Sequence, residues 1–61
     1  MLTASHINRL RYAFGLCVSS APKQIGLRRL RSAKAFLTSN PEYAAQLIRE
    51  AEFMLPRAQA Y

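Results

Sequence analysis

Sixty-one residues contain one cysteine, one histidine, two glycines, no tryptophan and three acids. Each shortage excludes something. Cys17 alone cannot form an intramolecular disulfide, and Cys17 with His6 falls short of the ligand set of a closed structural zinc site. Glu42, Glu50 and Glu52 all fall in one segment. Glu50 and Glu52 are two apart, so on a helix they do not face each other as an acid–base pair would. His6 could act as a base only on a placed nucleophile. Its neighbour Ser5 points elsewhere on a helix, so His6 reads as a first-turn surface residue. Glycine is too sparse for a phosphate-cradling loop. Catalysis, a resident metal and a cofactor are therefore not expected.

Long hydrophobic runs are also missing. The longest uncharged stretch, Tyr12 to Pro22, is eleven residues, well short of the ~20 needed to cross a bilayer as a helix. No transmembrane segment is expected. Arg9 and Arg11 before Tyr12–Val18 and Ser19-Ser20-Ala21 faintly suggest a signal peptide. The basic residues sit late, however, and the apolar region is minimal. An acid-free, arginine-rich start would also suit a transit peptide. Both rank below a core helix. A lone cysteine fits the reducing cytoplasm best.

The final absence is acid in the first half. Residues 1–39 hold seven cations and no acid, whereas residues 40–61 hold two cations and three acids, giving the net +6. Such asymmetry points to an acidic partner for the first half.

What is present is helix periodicity. A hydrophobic fraction of 51% suits a folded chain, strand-like alternation is lacking, and one domain over 1–61 is expected. Ile7, Leu10, Phe14 and Cys17 form one apolar stripe, which predicts a first helix over about 4–18 capped by Thr3 or Ser5. Ser20 and Pro22 open a second over about 21–37. Its seam, Gly26–Leu30–Ala33–Leu37, has coiled-coil spacing and is lightened by two small residues. Asn40 and Pro41 open a third over about 41–55, with a wide apolar face. Pro56 is expected to end it, because the residue before a proline avoids helical geometry. Residues 56–61 then form a tail that frays unless docked. The predicted fold is all-α, a small bundle of three short helices.

A chain this short buries only about 60% of its unfolded surface. Domains below roughly 70–80 residues usually need a disulfide, a metal or a partner. A homodimer is therefore expected to complete the fold. Gly26, Leu30, Ala33 and Leu37 form one candidate interface. Tyr12, Leu16 and Phe53, which lie off the main apolar stripes, supply the other candidates. Arg49 and Glu52, three apart, are expected to pair.

On the second helix Lys23, Arg28, Arg31 and Lys34 share a face, with Arg29 nearby. Such runs are most often solvated surface. The functional alternatives are an acidic protein partner or a nucleic-acid backbone. Sequence-specific reading wants base-reaching amides, of which the second helix has only Gln24. Neither turn contains the glycine usual in a helix-turn-helix. Recognition of single strands wants exposed rings beside the cations, and only Phe36 is a candidate. The chain shows no family motif. It is expected to be a small basic, non-enzymatic protein acting through protein–protein interaction, as a regulatory accessory factor. Size and basicity suit accessory factors of the kind that mobile elements and phages encode. The alternative is a nucleic-acid-binding protein that contacts phosphates through the second helix.

Overall fold

The structure, a computed structural model, describes residues 4–61. Three helices follow one another: α1 (Ala4–Gly15), α2 (Ala21–Phe36) and α3 (Pro41–Gln59). The all-α three-helix bundle expected from periodicity is what forms.

The breaks follow local chemistry. Ser20 adopts extended backbone, and its Oγ accepts the Lys23 backbone N–H at 3.4 Å. Asn40 does the same for α3, its Oδ1 accepting the Tyr43 N–H at 3.3 Å. A proline follows each cap, where a missing N–H costs nothing. Of the caps anticipated for α1, Ser5 lies inside the helix and Thr3 lies outside the described residues.

Two ends differ from expectation. α1 stops at Gly15 rather than near Val18. There the chain tightens into three-residue spacing, with the Leu16 N–H on the Ala13 carbonyl at 3.2 Å and the Cys17 N–H on the Phe14 carbonyl at 3.0 Å. Glycine holds helical geometry weakly, and the tighter turn satisfies the last carbonyls. At the other end, α3 runs through Pro56 to Gln59. Proline removes one N–H from the ladder, yet the final turn is held by packing against the core and by a side-chain contact within α3. Ala58 is buried in the core, and the Arg57 guanidinium lies 4.6 Å from the centre of the Phe53 ring. The segment expected to fray is therefore docked as far as Gln59.

α2 and α3 share the largest interface and run antiparallel. Residues equidistant from the 37–40 turn meet across it. Phe36 and Tyr43 touch edge to face at 5.0 Å, Arg29 Nε lies 3.1 Å from Glu50 Oε1, and Ile25 shares a groove with Phe53 and Met54. α1 packs against both. Ile7 and Phe14 are fully buried among Leu30, Ala33, Leu47, Ile48 and Ala51. Cys17 stands at the edge of this core, its Sγ 3.5 Å from the Ala13 carbonyl. No described helix is long and apolar enough to cross a membrane.

The Gly26 seam is spent inside this core. Gly26, Leu30 and Ala33 are buried and Leu37 packs against them, so these four are not a surface for a second molecule. The reason is the Phe14 ring, which lies directly on Gly26. A Cβ there would overlap three ring atoms, whereas a Cβ at Gly15 would meet nothing.

Two alanine substitutions should therefore have opposite signs. Gly15→Ala should raise stability by roughly 0.5 kcal/mol through helix propensity. Gly26→Ala should lower it by about 1–3 kcal/mol, because overpacking outweighs the same propensity gain. Urea unfolding followed by circular dichroism checks both. A stabilised Gly26→Ala variant would contradict the packing described.

Candidate acidic-partner interface

Helical geometry spaces the cations of α2 along one flank, and α1 supplies another beside them. Arg11 of α1 stands with Leu27, Leu30, Arg31 and Lys34 around a depression of ≈ 310 Å³. An adjoining depression of ≈ 270 Å³ is lined by Gln24, Leu27, Arg28 and Arg31. The two share Leu27 and Arg31 and so form one trough, with a leucine floor and a basic rim. None of these lining residues is acidic. Arg28, Arg31 and Lys34 are exposed, and Leu27 is half-buried against the core.

The five cations singled out in the sequence divide three ways. Arg28, Arg31 and Lys34 stay together on the trough. Arg29 turns to the far side of α2 and is committed to Glu50. Lys23 turns back to α1, its Nζ donating to the Cys17 carbonyl at 3.0 Å. That bond caps the turn that ends α1 and places positive charge at the negative end of the helix dipole.

Arg11 was missed as a site residue. Its signal was faint: it lies four residues after Ile7 and three before Phe14, on the flank of the buried stripe. Which neighbour that flank meets depends on how α1 crosses α2.

Two of the three acids, Glu50 and Glu52, are committed as well. The pairing anticipated between Arg49 and Glu52 gives way to a link between helices, with Glu52 Oε2 3.2 Å from His6 Nε2. A cross-helix partner wins because the α1–α3 packing brings the imidazole to the carboxylate. His6 is thus a tie between helices as well as a first-turn residue. Both contacts are partly exposed, and an exposed ion pair such as Arg29–Glu50 typically contributes a few tenths to ~1 kcal/mol. Among the described residues, no group of three His, Cys, Asp or Glu side chains stands close enough to hold a metal ion.

Tyr12 on α1 and Leu16 in the turn after it are 71% and 73% exposed, and Phe53 is 60% exposed on α3. They belong to two separate surfaces. Leu16 borders a hollow with Val18, Ala58 and Tyr61, whereas Phe53 lines a groove between α2 and α3. No protein family, curated protein or solved structure matches the chain.

The geometry separates a structural cation from the rim cations. Lys23→Ala should cost about 0.5–1.5 kcal/mol, the usual worth of a hydrogen bond. Arg28→Ala should stay within about 0.5 kcal/mol of wild type, as exposed sites do. Thermal and urea melts of the two variants side by side provide the check. Equal losses would refute the distinction.

Proposed function

We propose that this chain is a non-enzymatic interaction protein, an accessory factor whose α1–α2 trough receives an acidic amphipathic segment of a protein partner. The observation that carries the proposal is the leucine floor between cations from two helices, Arg11 on one side and Arg31 and Lys34 on the other. An amphipathic helix laid in a groove anchors through apolar side chains spaced three and four apart. Here such an anchor would rest on Leu27 while flanking carboxylates reach the guanidinium groups. Arginine suits this task, since its planar fork matches a carboxylate with two parallel hydrogen bonds.

A nucleic-acid backbone would use the cations but not the floor, because phosphates bring nothing apolar. Stacking on bases also lacks support here. The rings of Phe36 and Tyr43 pack edge to face on each other, and no ring lines the trough. The half-buried free thiol of Cys17 supports placement in a reducing compartment.

A synthetic helix with leucines at i, i+3, i+4 and i+7 and glutamates between them is a suitable probe. Fluorescence anisotropy should show saturable, salt-sensitive binding. Replacing both Arg11 and Arg31 by alanine should weaken it by about tenfold, at roughly 0.7 kcal/mol per exposed contact. Leu27→Ala should weaken it too, and Arg29→Ala should leave it unchanged. If duplex DNA or single-stranded RNA binds while the helix does not, and Leu27→Ala has no effect, the backbone-binding alternative replaces this proposal.

A further inference from the structure

The trough lies between α1 and α2. A second depression lies between α2 and α3, where Ile25, Phe53 and Met54 form the apolar wall of an open groove of ≈ 340 Å³. Small-molecule sites occupy roughly 300–1,000 Å³, mostly apolar with a few placed polar groups. Here the polar groups are Gln46, Arg49 and the Arg29–Glu50 pair.

Their charge is unbalanced. Glu50 Oε1 is already 3.1 Å from Arg29 Nε. Glu52, three residues after Arg49, is turned to His6. Arg49 therefore has no acid paired with it among the described residues. Two arginines and one glutamate in the lining leave a single positive charge. Arg57 is not part of that lining, but its guanidinium lies 4.6 Å from the centre of the Phe53 ring and makes the same end more positive.

We propose that this groove binds a small aromatic monocarboxylate, its ring against Phe53 and Met54 and its carboxylate on the Arg49 guanidinium.

Each part of such a ligand answers a group in the lining. A guanidinium fork meets a carboxylate with two parallel hydrogen bonds, and one carboxylate balances the one unpaired charge. Gln46, one turn before Arg49 on α3, can offer an amide N–H to the same anion. The Phe53 ring is 60% exposed, so much of it is open to a second ring, and ring pairs gain beyond the area they bury. The Met54 thioether favours an aromatic edge over an aliphatic chain. Ile25 closes the wall from α2.

Other occupants fit less well. A neutral apolar molecule leaves Arg49 unanswered. A chain of phosphates would have to pass Glu50. Another copy of this chain, itself at +6, brings cations toward Arg49 and Arg57. The groove and the trough share no lining residue, so either reading can fail without the other.

Titration of the isotope-labelled protein with 2-naphthoate, followed by its backbone amide NMR spectrum, tests the proposal. Saturable shifts should centre on Ile25, Gln46, Arg49, Phe53 and Met54, with a Kd of about 0.1–1 mM, as suits a ligand of about a dozen heavy atoms. 2-Naphthalenemethanol, the same ring without the charge, should bind about tenfold more weakly. Arg49→Met keeps the aliphatic stem. It should weaken the acid about tenfold and leave the alcohol unchanged, whereas a merely structural role for Arg49 would move both. Phe53→Ala should weaken both ligands. The same spectra report whether each variant is folded, and the comparison of acid with alcohol needs no variant. Equal binding of acid and alcohol, shifts centred instead on Arg28, Arg31 and Lys34, or no saturable shift up to about 5 mM would each overturn the proposal. So would filling of the groove by the leucine–glutamate helix, or by a second copy, in preference to the acid.

Discussion

The Phe14 ring lies on the bare backbone of Gly26, and the position of α1 follows from that contact. With one cysteine and no disulfide, the chain must hold α1 by packing. Phe14 and Ile7, one at each end of the helix, are its fully buried side chains. Burying a side chain of this size is worth about 1.5–3 kcal/mol, a large share of what a domain this small can supply. Glycine lets the ring approach the helix axis closely, which any side chain at that position would prevent. The polar ties follow from the same seating. Lys23 reaches the Cys17 carbonyl beyond one end of α1, and Glu52 meets His6 near the other. Neither could form if α1 were rotated or shifted along α2.

That seating also divides the charge. α1 covers one side of the α2–α3 hairpin and brings Arg11 beside Arg31 and Lys34, producing a basic rim from two helices. The three acids all belong to the segment of α3, and two of them are engaged across helix boundaries. One side of α2 is therefore strongly basic over a leucine floor, whereas on the other Arg29 is paired with Glu50 and exposed rings stand beside Arg49 and Arg57. The hollow beside Leu16, Val18 and Tyr61 lies apart from both.

The existence, order and starts of α2 and α3 were legible in the sequence because caps and prolines act within one turn of their own position. Ser20 with Pro22 and Asn40 with Pro41 satisfy or remove the first N–H groups of a helix wherever that helix is placed. The apolar stripe of Ile7, Leu10 and Phe14 likewise follows from a period of 3.6. The basic flank of Arg28, Arg31 and Lys34 was legible on the same ground.

Several other features were decided only by tertiary structure. Pro56 carries a local stop signal, yet α3 continues because Ala58 finds a buried site beside α1. The Gly26–Leu30–Ala33–Leu37 seam has the spacing of an interface, but spacing does not say whether the facing helix belongs to another molecule or to the same one. Here it belongs to the same chain. Lys23 and Arg29 share the charge of their neighbours but were drawn away by a carbonyl and a carboxylate distant in sequence, while Arg11 was brought in from another helix. Local signals set where helices start and which stripe is apolar, since those depend on neighbours within a turn. Which cations meet, and which stripe remains for a partner, depends on how one helix crosses another, and that was set by a phenylalanine finding a glycine twelve residues away.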